Sequence, residues 1–403
     1  MPFFNNVAMD AFSRFNATLF DEREVISVPT GFQAFFGNPA GGGMTHFSPD
    51  ANTVDIDIIR GNKRTAALIP RGVVSRTLGA NQRNLQTGAF SSFSRKYPLA
   101  EEEGDISGDE ILFRQAGESP TSQMTRLDRM RQRAYKIHME SIRRTVRLFE
   151  RCAAASVLTG FQPAILGTTN ADLLYDFRRN PLHIWAPLNN WDAVGADILG
   201  DIDASCDLLE ANGNVDPDFI GIGGNAMDAL VRDLTVQTVA DNRRFELIQV
   251  GLNNPVPPNF ERFVKAGWIA RGRLRTPKGY NLWIFTYNRT FVNEAGATVK
   301  IMPEDQAFVA YSGARCDRYF GPPESLPMVS QRVQLYQELF GFNPSMPPMP
   351  VNILDPGDIV LPSMFYCDAY VSADWKKVTV RTQSAPIFAT TQTDAFVTMT
   401  GLV

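Results

Sequence analysis

The side chains best able to do chemistry are sparse in these 403 residues, with four cysteines and three histidines. Cys152, Cys206, Cys316 and Cys367 lie about 50 or more residues apart with no C-x-x-C pair, which fits reduced thiols rather than a disulfide framework or a zinc site. His46, His138 and His183 are isolated from one another and from the cysteines. A Cys–His dyad would have to be built across the fold, so buried thiols and surface imidazoles are the expectation. Gly221-Ile-Gly223-Gly-Asn-Ala226 matches the G-x-G-x-x-A form of a dinucleotide fingerprint, with Asp241 downstream, and would present a helix N-terminus to a pyrophosphate. The chain beyond it carries Asn253-Asn254-Pro255 and Pro257-Pro258 in place of a further β-α-β series, so a plain strand–turn–helix corner is expected. There is no G-x-x-x-x-G-K-[ST], G-x-S-x-G or H-E-x-x-H. Asp201 and Asp203 are expected on a solvent-facing helix side. No catalytic, cofactor or metal site is expected.

The elements that would have to position any site are easier to read. Apolar residues at 44% and charged residues at 20% exclude a disordered or collagen-like chain, and the length suggests two or three domains. No apolar run reaches the roughly 18 residues a membrane span needs, and no basic segment followed by an apolar one marks a secretory signal. The first fifty residues are rich in Phe, Gly, Asn and Pro, including Phe32, Phe35 and Phe36. They read as an extended arm or as an ordinary N-terminal strand-and-loop region. Val54-Asp-Ile-Asp-Ile58 alternates as a half-buried strand does.

Charge is distributed unevenly beneath a net of −4. Arg60, Lys63, Arg64, Arg71, Arg76, Arg83, Arg95 and Lys96 follow the first strand with no acid among them, and Glu101, Glu102, Glu103 and Asp105 then reverse the sign. A stretch that runs out basic and returns acidic reads as a long hairpin-like excursion laid on a partner, or as a solvated loop with self-compensating charge.

Thr125-x-x-Asp128 resembles a capping box, and Leu127, Met130, Ala134, Ile137, Ser141, Leu148, Cys152 and Ala155 keep a 3–4 spacing to the stop at Gly160 and Pro163. That predicts a helix of about 34 residues, roughly 50 Å long. Nine cations against Asp128, Glu140 and Glu150 leave it a net of about +6. It reads as a nucleic-acid binder, a coiled coil or a scaffold helix with paired arginines. The missing strict heptad argues against the second, and the third is the base expectation. Beyond Leu166 the pattern turns mixed: a helix over 191–209, a strand at 218–222, a helix through Ala226, Leu230 and Leu234, strands at 280–287 and 306–311, a hairpin over 290–301, and strands through 365–403. The Pro/Met stretch 342–350 can be neither helix nor central strand.

Three stretches carry a resemblance. Arg381-Thr-Gln383-Ser384-Ala385-Pro386-Ile387 is followed by Asp394-Ala-Phe-Val397; Tyr280-Asn-Leu-Trp-Ile-Phe-Thr-Tyr287 leads through Phe291-Val-Asn-Glu-Ala-Gly296 to Met302-Pro-Glu-Asp305; and Ile69-Pro-Arg-Gly72 precedes a long helix ending Val157-Leu-Thr-Gly160. With the order of elements, they resemble tailed-phage major capsid proteins of the HK97-type fold, and within it the lambda-type head shell family. The resemblance implies an α+β chain with an N-terminal arm (1–53), an E-loop (54–111), a P domain with a spine helix (112–190), an A domain (191–326) and returning P-domain strands (327–403). It also implies a non-enzymatic shell subunit forming hexamers and pentamers around double-stranded DNA, with scaffold, portal, decoration protein and maturation protease as partners. Such a subunit would be assembled in the host cytoplasm and end in the virion. Contacts between subunits would fall on the excursion and spine, namely the eight cations above, Glu101, Glu102, Glu103, Arg129, Arg133 and Arg144. An encapsulin-like compartment and a nucleotide-binding α/β enzyme are the alternatives.

Overall fold

The computed structural model describes residues 30–38, 41–48, 53–58, 91–107, 126–163, 174–233, 236, 245–247, 257–292, 296–321, 365–371 and 377–403. Along these the chain forms β1 (Thr45–Phe47), β2 (Thr53–Ile58), β3 (Ser91–Lys96), β4 (Ala100–Ser107), α1 (Arg126–Thr159), β5 (Phe161–Pro163), β6 (Leu174–Asp176), β7 (Ile184–Trp185), α2 (Ile198–Leu208), β8 (Phe219–Ile222), α3 (Gly224–Arg232), β9 (Phe245–Leu247) and α4 (Pro258–Lys265). It continues with β10 (Ile269–Arg275), β11 (Asn281–Thr286), β12 (Thr290–Val292), β13 (Thr298–Lys300), β14 (Ala307–Ala310), β15 (Asp317–Phe320), β16 (Tyr366–Val371), β17 (Lys377–Ser384), β18 (Pro386–Ala389) and β19 (Phe396–Met399).

The core is a mixed seven-stranded sheet in the order β7-β19-β14-β8-β11-β10-β9. Its central strands are buried on both faces, and side-chain alternation gives the faces different characters. Phe219, Phe285, Phe308 and Phe396 point into one cluster with Phe263 of α4 and with Phe149, Cys152 and Ala153 of α1. Ile220, Ile222, Ile284, Val309, Val397 and Met399 pack on the other face against Ile198 and Ile202 of α2 and Ala226 and Leu230 of α3. Two three-stranded sheets flank this core, β1-β15-β18 and β16-β17-β4.

Helix α1 spans 34 residues, as its periodicity predicts; the capping residue Thr125 lies outside the described residues. It stops at Gly160, whose φ of 75° is the left-handed conformation that glycine supplies at helix ends. The helix expected over 191–209 begins only at Ile198, where Asp197 Oδ1 accepts from Gly200 N at 2.9 Å. Gly195, at φ 90°, interrupts the pattern upstream, and Trp191 is buried from a turn rather than from the helix. Likewise α3 stops at Arg232, short of Leu234. The 342–350 stretch lies outside the described residues.

The aromatic N-terminal stretch does not project as an arm where it is described. Phe32 and Phe35 sit on a 3-10 turn and are buried with Phe36 in the chain's own core. Phe35 alone meets the rings of Phe219, Phe263, Phe308 and Phe396 at centroid distances of 4.6–6.1 Å. Phenylalanine-rich composition shows that burial is needed but not where, and the partners lie over 180 residues downstream. Residues 1–29 lie outside the described residues.

Candidate assembly surfaces

Strands β2 and β3 run antiparallel from Thr53↔Lys96 to Ile58↔Ser91; residues 59–90 between them lie outside the described residues. Val54, Ile56 and Ile58 fix the pair by packing on Phe177, Tyr319 and Ile387. Arg95 and Lys96 fall on β3 opposite Val54 and Thr53. Arg60, Lys63, Arg64, Arg71, Arg76 and Arg83 lie outside the described residues.

Strand β4 carries the acids. It pairs antiparallel with β17, which sets Glu101 opposite Gln383, Glu102 opposite Thr382 and Glu103 opposite Arg381. Gly104 faces α1, where a Cβ would lie 2.3 Å from Ile137 Cγ2, so strand and helix approach closely there. Glu102, on the same side of the strand, reaches Arg144 Nη1 at 3.4 Å, while Arg144 Nε meets Glu140 at 3.3 Å. Glu101, Glu103 and Asp105 take the other face. There Glu101 accepts from Gln383 Nε2 at 3.1 Å and meets Arg381 at 3.5 Å, and Asp105 accepts from Thr379 Oγ1 at 2.6 Å. Glu101, Glu102 and Arg144, expected to pair between subunits, therefore already have partners within the chain. Arg133 is half-buried on α1, and Arg129 is placed on the helix by its backbone.

Gln383-Ser384-Ala385-Pro386 is a buried corner where the chain leaves one flanking sheet for the other, β17 ending at Ser384 and β18 starting at Pro386. A proline fits at the first residue of a strand because it has no N–H to contribute. Gln162 of β5 clasps the corner, donating to Pro386 O at 3.1 Å and accepting from Phe388 N at 2.7 Å. An open groove of about 980 Å³ lies beside it, with Arg144, Arg147 and Arg151 of α1 on one wall and Phe291 and Val292 of the β12–β13 hairpin on the other.

The glycine fingerprint has a local explanation. A Cβ at Gly221 would lie 2.3 Å from the Phe308 ring, and one at Gly223 would lie 2.2 Å from Pro303 O. Gly223 N donates to Gln306 O at 2.8 Å and Ala226 N to Glu304 O at 3.0 Å. The place a pyrophosphate would take at this helix start is filled by the chain's own 303–306 backbone.

Several buried polar groups escape a reading of the sequence. Glu150, counted among the helix's polar residues, is 1% exposed. Its Oε1 accepts from Phe32 N at 2.7 Å and its Oε2 from Gln33 N at 3.2 Å, and burial pushes its carboxyl up to about 7 despite these donors. The signal was present, since Glu150 stands four residues after Val146 and seven before Val157, in the apolar row. Arg179 is also buried and donates to the carbonyls of Ser156, Val157 and Leu158 at 3.1, 2.7 and 3.2 Å, capping the C-terminus of α1. Asp203 is 3% exposed, not solvent-facing, and accepts from Lys278 N at 3.3 Å.

Two histidines and three thiols have described surroundings, the side chains of His138 and Cys367 lying outside the described residues. His183 is buried rather than at the surface, with Nδ1 donating to Phe396 O and Nε2 accepting from Asn212, each at 3.0 Å; burial holds its pKa below the ordinary value. His46 stacks on Tyr319 at 4.7 Å. Cys152, Cys206 and Cys316 are buried free thiols. Burial pushes Cys152 up to about 12 and raises the other two further, so they stay protonated and poorly nucleophilic at neutral pH. Among the described residues, no group of three or more His, Cys, Asp or Glu could hold a metal, and no helix is long and apolar enough to cross a membrane.

A family model described as phage major capsid protein E matches residues 49–401. A prophage capsid protein from E. coli CFT073 superposes with a TM-score of 0.55 at 14% identity, covering 93% of both chains. The mature capsid of bacteriophage PhiM1 overlaps at 0.42 and 9% identity, covering 89% of this chain and 86% of that one. The SrpI encapsulin of Synechococcus elongatus PCC 7942 overlaps at 0.39 and 9%, covering 89% and 85%. No curated protein matches the sequence. The mixed architecture is thus the HK97-like α+β capsid fold, and, matched by the model over most of its length, this chain belongs to the phage major capsid protein E family.

Proposed function

We propose that this chain is the subunit of the icosahedral head shell of a tailed phage, closing as hexamers and pentamers around double-stranded DNA. The observation that carries the reading is the family match over 49–401. The charge layout supports it, because acids line one face of β4 while cations line α1, and two unlike, sign-complementary patches suit the head-to-tail contacts that generate rings. In this reading 54–111 is an E-loop lying over a neighbour, 112–190 and 327–403 form the P domain, and 191–326 forms the A domain. The N-terminal arm of this reading is 1–53, of which Phe32, Phe35 and Phe36 are buried in the chain's own core. Scaffold, portal, decoration protein and maturation protease are the expected partners, with assembly in the host cytoplasm and the virion as destination.

Single exposed pairs contribute only about 0.2–1 kcal/mol, so closure rests on many repeated contacts. In this reading the contact between subunits is carried by the excursion and spine residues Arg60, Lys63, Arg64, Arg71, Arg76, Arg83, Arg95, Lys96, Glu101, Glu102, Glu103, Arg129, Arg133 and Arg144, of which Glu101, Glu102 and Arg144 also have partners in their own chain. Deleting Gly61 to Lys96 should leave soluble subunits and no shells by electron microscopy; normal particles from that deletion would defeat the assembly scheme. Particles of the full chain that enclose a protein cargo and no DNA would favour a compartment over a phage head.

A further inference from the structure

Among the described residues thirteen large apolar side chains are exposed, and five of them, Leu182, Ile184, Leu188, Val194 and Val403, gather along one edge of the seven-stranded sheet. Strand β7 is that edge, paired with β19 alone among the described residues. The stretch 182–194 is stitched to the end of the chain by Thr400 N donating to Trp185 O at 3.0 Å and Trp191 N to Leu402 O at 2.6 Å. Leu182 is 64% exposed and Leu188 98%. From Asn180 to Trp191 there is no Asp, Glu, Lys or Arg, and the one histidine there, His183, is buried and turned inward to Phe396 O. The opposite side of the sheet offers a second apolar patch. Ile184, Thr398, Phe308, Gly221, Phe285 and Ala270 form one continuous row of paired residues across the sheet. Ile269, next in the chain to Ala270, therefore lies about five strand spacings, about 24 Å, from the β7 edge. It has no outer neighbour among the described residues, since β9 pairs only with Gly272 to Leu274, and it is exposed together with Val264 of α4.

We infer that the ridge from Leu182 to Val194 is a contact surface for a second copy of this chain, seated on the Val264 and Ile269 edge of that copy. The inference rests on the shell reading above, which supplies the second copy, and adds a place of contact apart from the excursion and spine. An uncharged apolar ridge gives nothing to phosphates or to anionic lipid headgroups, which call for cations. Charge-depleted apolar centres are instead the mark of contacts between protein copies. The far edge matches it in kind: Val264 and Ile269 form its centre, and Glu261 and Lys265, paired with each other at 2.9 Å, belong to its polar rim. Two unlike patches on opposite edges of one sheet join head to tail, the arrangement that closes rings. The contact is made through side chains. Strand β7 has two residues, Ile184 N is bonded back to Pro181 O, and Pro187 follows, so this edge cannot template an added strand of useful length.

The test compares the full-length parent with the triple variant Leu182→Ser, Leu188→Ser, Val194→Ser and with two single variants, Leu188→Cys and Ile269→Cys. Self-association is followed by sedimentation velocity and electron microscopy at rising concentration, and chemical denaturation is measured on dissociated subunits. The triple variant should need at least about tenfold more protein to associate, with an unchanged denaturation midpoint. The introduced thiols should react with a maleimide in dissociated subunits and be protected in assembled ones, against the low background of the buried Cys152, Cys206 and Cys316. Association of the triple variant at the parent's concentration overturns the inference, as does reactivity retained in the assembly at either 188 or 269. A lowered denaturation midpoint of the dissociated triple variant also overturns it, because the ridge would then be covered by its own chain. Closed particles formed equally by parent and triple variant remove this surface and leave the shell reading standing. Ordered oligomers of the parent that the triple variant does not form, with no closed particles from either, leave the surface standing and remove the shell reading. A parent that stays monomeric throughout overturns both.

Discussion

The seven-stranded sheet and helix α1 share one core but are secured by opposite chemistry. The sheet is held by apolar side chains on both faces, with aromatic rings on one and aliphatic chains on the other. Its only demand is complementary volume, so its free energy is spread over many contacts. The helix buries one face and is fixed by single polar anchors. Glu150 clasps the start of the Phe32–Phe35 turn, and Arg179 closes the last carbonyls. Even its buried hydroxyls are absorbed locally, Ser141 Oγ donating to Ile137 O and Thr145 Oγ1 to Ser141 O at 2.9 Å each. Apolar burial gives the sheet stability, whereas the anchors give the helix a fixed position relative to strands that arrive over 100 residues away in the chain.

The comparison breaks first at the sheet. Phe308 is fully buried at the centre of β14, its ring within 6.1 Å of Phe32, Phe35, Phe219 and Trp268. Phe308→Ala should cost about 3–5 kcal/mol in chemical denaturation of the subunit. A loss below about 1 kcal/mol would show that the rings do not form one packed unit.

Arg179→Met comes next. The methionine keeps much of the apolar stem but leaves three carbonyls at the helix end without their donor, and removes a cation placed favourably at the dipole's negative end. Subunit stability should fall by about 2–3 kcal/mol. The α1 end should also exchange its amide hydrogens faster while the sheet remains protected. Uniform loss of protection would mean that helix and sheet are one cooperative unit and the contrast between them false.

The contrast also separates what the sequence discloses from what it conceals. The 34-residue helix is legible because burial on one face imprints a 3–4 period, the strands β8, β11 and β14 because they are short apolar runs bounded by polar or glycine-containing turns, and the β12–β13 hairpin because of its Asn-Glu-Ala-Gly turn. Strand order is not legible: β8 lies between β14 and β11, and nothing local in Phe219–Ile222 names either partner. Nor is the fate of a charge. Glu150 and Glu140 are ten residues apart on one helix, yet one is buried against backbone donors and the other pairs with Arg144 in the open. What separates them is a segment 117 or 118 residues upstream. The Gln-Ser-Ala-Pro stretch identified the family from sequence, but its role as a corner clasped by Gln162 required the register of three strands.

The finest probe of the comparison is Glu150 itself, because a buried carboxyl reports its surroundings through pH. Burial raises its pKa from 4.5 to about 7, and the donors Phe32 N, Tyr287 Oη and Gln33 N offset only part of that rise. The folded chain therefore holds a proton that the unfolded chain releases between those values. The stability this contributes is complete below about pH 4.5 and is lost as pH rises through about 7. Between pH 6 and pH 8 the subunit should lose about 1 kcal/mol through this group. Glu150→Gln, which keeps the shape without the charge, should remove that slope. His183 has its pKa held down by burial, so it acts in the opposite sense, with stability lost as pH falls below the ordinary histidine value. Taking the difference between the parent and Glu150→Gln at each pH cancels the histidine and leaves the carboxyl alone. A difference that does not change between pH 6 and pH 8 would mean that Glu150 is ionised throughout, and that the turn at Phe32 is held by a full charge rather than by a neutral acid.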